Sequence, residues 1–218
     1  MKQHTGGWSC ERSAELYGLE GWGSPYFSAG ADGHLVAHPE GADGPSVRLT
    51  ELVDQAQERG LSLPLLVRFD GILRHRLQTL VGIFASAIHE YGYTGSYRPA
   101  FPIKVNQQRR VVQELIEAGR DAGMGVEVGS KPELMAVVAL LERRSLIICN
   151  GYKDETYIEL ATLAVRLGHE VVVVIEKPFE LEPTIEQVSH DDDSPMIGFR
   201  IRLQARGSRR CGHLELVA

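Results

Sequence analysis

Residues 170–176 read EVVVVIE, a nearly unbroken run of β-branched side chains. A strand that is apolar at almost every position suits a parallel sheet, where helices cover both faces. Around this run, short apolar segments alternate with segments whose apolar residues recur every three or four positions. The first kind of segment predicts strands and the second predicts amphipathic helices. The pattern therefore indicates a repeated strand–helix unit.

The repeat predicts six parallel strands with helices between them. The strands are expected at residues 64–69, around Ile103, and at residues 123–128, 145–149, 170–176 and 196–203. One helix is expected to begin after Ser130, because Ser130 and Glu133 have the spacing of a capping box. Asp154 is a candidate N-cap for the next helix, and an earlier helix is expected to open at Asn106. The alternation is typical of the α/β fold class.

The N-terminal part of the chain, residues 1–48, has a different character. It contains both tryptophans and a predicted β-hairpin, in which residues 26–29 and 34–37 flank the turn residues 30–33. Two interpretations stay open: a simple extension, or strands of a separate β layer whose other strands come from elsewhere.

Composition limits the classes of function. The chain has 218 residues, of which 43% are hydrophobic, so it can bury the core of one domain. A net charge of -6 without a long basic run argues against nucleic acid as a partner. No segment approaches the roughly 20 apolar residues of a membrane span, and no secretory signal is evident, so we expect a cytoplasmic protein without membrane partners. The three cysteines lie far apart, which fits neither a disulfide framework nor a zinc site, and Cys149 is expected in the core.

Lys104 stands at the end of an apolar extended run, residues 97–105 (YRPAFPIKV). A positive charge at the end of a buried strand is costly without a partner. Partial burial would favour the neutral amine, which is the nucleophile that Schiff-base chemistry requires. The alternative is an ordinary solvated lysine at the mouth of the strand.

Polar residues follow several of the predicted strands at their C-terminal ends. They are Asp70, Lys104, Glu127 with Ser130, Asn150 and Glu176. This is the rim where parallel barrels assemble active sites, and an amine with carboxylates and an amide suits a reaction at a carbonyl or imine. Loops are also polar simply because they are exposed to solvent, so the alternative that these residues have no catalytic role stays open. Arg200 and Arg202 alternate with apolar residues in the last strand and need either an anionic ligand or a structural ion pair.

Four segments also carry a resemblance to a known family. They are FPIKVNQQRR (101–110), GVEVGSKPEL (125–134), ICNGYKDETYI (148–158) and VIEKPFEL (174–181). These segments closely resemble the biosynthetic arginine decarboxylases, pyridoxal-phosphate enzymes with an alanine-racemase-like barrel. The similarity extends over about residues 16–205. It implies a partial TIM-like (β/α) barrel of about six parallel strands with an N-terminal β segment.

The resemblance also implies roles for individual residues. Lys104 matches the family lysine that forms the internal aldimine with pyridoxal phosphate. Glu127 and Ser130 match the strand end beside the cofactor, and Arg200 matches an arginine near it. The implied reaction converts L-arginine to agmatine and carbon dioxide for polyamine biosynthesis, with Mg²⁺ as a further cofactor and a homo-oligomer as the full-length form. No residue of this sequence marks the magnesium site.

The sequence departs from the family after about Ala205, where it reads RGSRRCGHLELVA. We therefore expect three parts: an extension with a hairpin (1–48), an incomplete pyridoxal-phosphate-binding barrel (49–205) and a divergent tail (206–218). Six of eight strands would leave an open seam between the first and the sixth. The chain is expected to be a truncated form that lacks groups needed for catalysis. A non-catalytic pyridoxal-phosphate-binding barrel and a Schiff-base aldolase are the alternatives.

Overall fold

The computed structural model describes residues 7–188, 194–202 and 213–217. The chain divides into two compact units, Met1–Leu80 and Val81–Ala218, and each is described by itself. The domain boundaries expected at residues 48 and 205 stay a prediction.

The first unit combines short helices with a small antiparallel sheet. Its elements are helices α1 (Cys10–Leu16), α2 (Leu19–Gly23) and α3 (Leu49–Glu58), strands β1 (Phe27–Ala29), β2 (Leu35–Ala37) and β3 (Val47–Arg48), and the start of helix α4 (Asp70–Glu90). The strands pair in the order β1-β2-β3. Phe27 lies opposite Ala37 in an antiparallel register, so the predicted hairpin is confirmed.

The strand predicted at residues 64–69 is not formed. These residues pair with no other described strand, and Leu66 is 81% exposed. Pro64 lacks the backbone donor that a ladder needs, and Arg68 interrupts the apolar run. Consequently Asp70 does not follow a strand but is the first residue of helix α4.

The second unit is built on a six-stranded sheet. Its strands are β4 (Ala100–Pro102), β5 (Gly125–Val128), β6 (Leu146–Cys149), β7 (Glu170–Ile175), β8 (Met196–Arg202) and β9 (His213–Val217), in the spatial order β4-β5-β6-β7-β8-β9. Its helices after α4 are α5 (Arg109–Ala118), α6 (Lys131–Leu140), α7 (Glu155–Arg166) and α8 (Leu181–Val188).

The sheet confirms the α/β class and corrects the number of parallel strands. Strands β4 to β8 are parallel, whereas β9 runs antiparallel to β8. There are thus five parallel strands in the described part of the chain, not six, because residues 64–69 form none. Strand β9 lies in the part of the chain expected as a tail (206–218), where no strand was predicted.

Strand β7 is buried on both faces, as its sequence predicted. Val171, Val173 and Ile175 join the main core with residues of helix α7, including Tyr157. Val172 and Val174 point to the opposite face and pack with Leu146. Burial of both faces is what allows a continuous β-branched run in a parallel sheet.

Side-chain caps fix the helix starts next to the sheet edge. The Ser130 hydroxyl accepts a hydrogen bond from the Glu133 amide (3.4 Å), and the Asp154 carboxylate accepts one from the Tyr157 amide (3.0 Å), so both predicted N-caps are confirmed. Asn106 does not open helix α5, which begins at Arg109. Its side chain instead accepts from the Gln108 amide (3.0 Å) in a turn that precedes the helix.

No helix within the described ranges is long and apolar enough to cross a membrane.

Candidate active site

The candidate site lies at the C-terminal edge of strands β4 to β8. Because these strands are parallel, the residues at and beyond their ends meet at one edge of the sheet. The residues at this edge are Lys104, Glu127, Ser130, Asn150, Glu176 and Arg200. Of the strand-end residues predicted from sequence, only Asp70 is not part of this sheet.

Lys104 and Glu127 form an ion pair at the first two strands. Lys104 lies in a single 3₁₀ turn, Ile103–Val105, directly after β4, and its Nζ is 3.5 Å from Glu127 Oε1. The Lys104 side chain is 63% exposed, whereas that of Glu127 is 13% exposed. The partial burial considered for this amine is therefore not observed, and its exposure agrees with the alternative of a solvated lysine at the end of the strand. Strand β4 is an edge strand of the described sheet, which leaves this side open. The amine is accessible and faces a carboxylate.

Asn150 supports Glu127 from the next strand. Its Nδ2 donates to Glu127 Oε1 (3.1 Å), and its backbone amide donates to the Val128 carbonyl (2.8 Å). Its side chain is buried, and its Oδ1 has no hydrogen-bond partner among the described residues. A buried acceptor without a partner is costly in free energy, and this oxygen has almost no exposed surface through which a ligand could reach it.

Glu176 and Arg200 form the other half of the edge. Glu176 Oε1 accepts a hydrogen bond from the Gly151 amide (2.9 Å) and lies 3.0 Å from Arg200 Nη1. The structural ion pair considered from the sequence for Arg200 is thus present. It leaves Arg200 partly exposed at the same edge as Lys104. The side chain of Arg202 lies outside the described part of the structure.

Ser130 and Glu133 hold the loops around the site by hydrogen bonds. The Ser130 hydroxyl acts as the acceptor of a helix cap. Glu133 accepts from the Gly129 amide through Oε2 (2.7 Å) and from Gln107 Nε2 through Oε1 (3.2 Å). Glu133 therefore joins the segment after β4 to the turn after β5, and a role for Ser130 at the cofactor stays a prediction.

A buried ion pair between Lys153 and Glu180 was not predicted from the sequence. Lys153 and Glu180 have side chains that are 0% and 1% exposed, with Nζ 3.7 Å from Oε2. Burial lowers the pKa of Lys153, and the nearby Glu180 carboxylate opposes that shift. Both residues follow a strand end within the quoted motifs, but in a sequence they are indistinguishable from ordinary loop charges.

Two further buried groups are structural. Tyr157 donates from its hydroxyl to the Val128 carbonyl (3.2 Å), and burial raises its pKa far above the ordinary value. Burial also raises the pKa of the Cys149 thiol to about 12, which confirms Cys149 as a core residue. Both side chains are buried in the core, so we assign neither of them a role in the site.

The residues of the edge fit a ligand that carries an aldehyde and anionic groups. Lys104 offers an accessible amine, and Arg200 offers a partly exposed cation. Pyridoxal phosphate has these complementary groups. The described residues contain no cluster of three or more histidine, cysteine, aspartate or glutamate side chains that could hold a metal ion.

Comparison with known proteins finds a matching family model and similar proteins. Residues 78–212 match the family model described as the pyridoxal-dependent decarboxylase, pyridoxal binding domain. Proteins named biosynthetic arginine decarboxylase match from Prochlorococcus marinus (strain MIT 9313), with 48% identity over 94% of this chain and 32% of that protein, and from Thermosynechococcus vestitus, with 46% identity over 95% of this chain and 33% of that protein.

A solved structure agrees with these sequence matches. The crystal structure of the biosynthetic arginine decarboxylase from Campylobacter jejuni matches with a TM-score of 0.76 and 30% identity, over 83% of this chain and 30% of that one. The chain thus spans about a third of the length of the curated relatives that it matches.

Proposed function

Because this chain belongs to the pyridoxal-dependent decarboxylase family, whose pyridoxal binding domain matches residues 78–212, we propose that it holds pyridoxal phosphate through Lys104 and serves arginine decarboxylation. The products would be agmatine and carbon dioxide, which places the reaction in polyamine biosynthesis. Arginine as the substrate rests on the relatives, which are named biosynthetic arginine decarboxylases at 45% to 49% identity.

The observation that carries the proposal is the position of Lys104. Its amine stands at the C-terminal edge of a parallel sheet, 3.5 Å from the Glu127 carboxylate, on the same edge as Arg200. Lys104 would hold the cofactor's aldehyde, and Arg200 would face an anionic group. Glu127, Asn150 and Ser130 would line the side of the cofactor nearest β5 and β6.

The side chains at this edge have separate tasks in the proposed reaction. Bound pyridoxal phosphate supplies the ring that takes up the electron pair left when carbon dioxide departs, before a proton replaces it on the substrate. Glu127 accepts a hydrogen bond from Lys104 Nζ (3.5 Å) and would orient this amine at the cofactor. Asn150 fixes the Glu127 carboxylate, and Glu176 fixes the Arg200 guanidinium.

Two parts of the proposal rest on the resemblance alone: the use of Mg²⁺ and a homo-oligomeric full-length enzyme. The cytoplasmic location is carried over from the expectation based on the sequence. No described residue is assigned to magnesium. The family match favours pyridoxal phosphate over the cofactor-free chemistry of an aldolase.

Chemical trapping tests the cofactor assignment. The purified chain is incubated with pyridoxal phosphate, reduced with borohydride, and mapped by peptide mass spectrometry. We expect the adduct on Lys104, and we expect Lys104→Arg to abolish it. Lys131 is the matched control, because it also follows a strand end but is engaged by Asp154 (2.6 Å). Equal labelling of Lys104 and Lys131 would contradict the assignment.

Release of carbon dioxide tests the substrate. Carboxyl-labelled arginine, ornithine, lysine and diaminopimelate are offered to the cofactor-loaded full-length form, because the 218-residue chain is expected to lack groups needed for catalysis. We expect release from arginine and loss of that release in Lys104→Arg, because the covalent attachment is removed. Capture of the cofactor with no release from any substrate would favour the non-catalytic binding protein.

A further inference from the structure

The buried ion pair Lys153–Glu180 needs an explanation other than stability. The two side chains are essentially inaccessible to solvent, although the sheet edge above them is open. Removing two charges from water costs about as much as their attraction returns, so a buried pair is weak support for a stabilising role. The backbone groups that the pair holds suggest a different role.

Each partner holds a turn that directly follows a strand. Lys153 Nζ donates to the Gly151 carbonyl (2.6 Å), in the turn after β6. Glu180 Oε2 accepts from the amides of Glu176 (2.8 Å) and Lys177 (3.2 Å), in the turn after β7. The Lys153 amide also donates to Glu180 Oε1 (3.4 Å), so the pair joins the two turns to each other.

These two turns carry both halves of the candidate active site. Asn150 holds Glu127, which faces Lys104, and its neighbour Gly151 donates to Glu176, which faces Arg200. The peptide groups around Asn150 and Gly151 therefore connect the lysine half to the arginine half. Lys153 holds this connection at the Gly151 carbonyl (2.6 Å).

We propose that Lys153 and Glu180 are positioning residues. They hold the turn at Asn150 and Gly151 and the Glu176 carboxylate in place. As a result, Lys104 and Arg200 can contact the same ligand. The proposal rests on the proposed function, since it assigns that same site its supporting residues. It assigns neither residue a contact with cofactor or substrate.

Two variants separate positioning from stability. Lys153→Met leaves the Glu180 carboxylate buried without its cation, so a large fall in melting temperature is expected. The double variant Lys153→Met with Glu180→Gln has no buried charge and keeps an acceptor for the Glu176 amide, so most of that fall is expected to be recovered. Both variants lack the donor to the Gly151 carbonyl.

The first readout is trapping of pyridoxal phosphate at Lys104 by borohydride. We expect trapping to fall about tenfold in both variants, the size typical of lost supporting hydrogen bonds, even though the double variant regains its melting temperature. Val137→Ala, at a fully buried position in helix α6, is the control: it lowers the melting temperature without touching this network and should leave trapping unchanged.

The second readout is hydrogen exchange of the Gly151 amide, which needs no cofactor. Faster exchange in the double variant is expected, because the turn loses its support. Unchanged trapping together with unchanged exchange would overturn the proposal and leave the pair a purely structural role. If the unmodified chain fails to trap the cofactor at Lys104, the proposed function fails, and the exchange result alone then decides whether the pair positions the turn.

Discussion

Cys149 shows how one buried side chain sets a pH dependence of stability. Its thiol has a pKa of about 12 in the folded chain, raised by burial from an ordinary value of 9.0. Below about pH 9 the thiol is neutral in both states, so its contribution is fully present there. As the pH rises above 9, the unfolded chain loses this proton first, and the folded state loses stability by up to about 1.4 kcal/mol per pH unit.

Comparison with Cys149→Ala checks this prediction. The free energy of unfolding is measured by denaturant titration from pH 7 to pH 10.5. We expect the original chain to be the more stable one at pH 7 and its advantage to shrink above pH 9. Val173→Ala, at the position opposite Cys149 on strand β7, creates a cavity without a titrating group, so its deficit should stay constant. A constant deficit for Cys149→Ala as well would contradict the prediction.

At the scale of elements, the turn after β6 depends on a glycine. Gly151 has a φ of 77°, and a Cβ at this position would collide with the Gly129 carbonyl. Gly151→Ala should therefore lower the free energy of unfolding by at least about 2 kcal/mol, from left-handed backbone strain and overpacking.

Gly82→Ala is the opposite case: Gly82 lies in helix α4 with open space around it, and the change should stabilise the folded chain by about 0.5–1 kcal/mol. Thermal unfolding of both variants measures the contrast, and a stable Gly151→Ala would show that the turn can move.

The elements that the sequence predicted well are those with local signals. Ser130 and Asp154 cap their helices by accepting hydrogen bonds from amides only three residues away. Strand β7 is predictable because nearly all of its residues are β-branched. The failures have tertiary causes. Residues 64–69 have strand composition but no partner strand, and the pairing of β9 with β8 depends on a contact that no short window contains. The same holds for the site: strand-end positions were visible, whereas the contact of Lys153 with Glu180 spans 27 residues.

At the scale of the whole molecule, strand β8 leaves apolar side chains in solvent. Phe199 and Ile201 are 43% and 44% exposed, and they alternate with Arg200 along the strand. Exposed apolar surface of this kind binds hydrophobic dyes and promotes self-association. We expect Phe199→Thr with Ile201→Thr to reduce dye fluorescence and light scattering at high protein concentration, with little change in melting temperature.

A buried position provides the matched control for that prediction. Val173→Thr places a hydroxyl in the core, so it should lower the melting temperature and increase dye binding. If the double threonine variant on β8 bound as much dye as the original chain, the apolar surface would have to lie elsewhere.

The turn after β6 also has a consequence for mutational tolerance. Asn150 and Gly151 are adjacent, yet each excludes substitutes for its own reason: one supplies an amide to a carboxylate, and the other leaves no room for a β-carbon. Substitutions at Asn150 and at Gly151 would therefore disrupt the site for separate reasons. A second substitution that compensates for one of them would not compensate for the other. In a saturation library selected for function, this dipeptide should form a sharp pair of invariant sites, even where the flanking Tyr152, which is 70% exposed, varies freely.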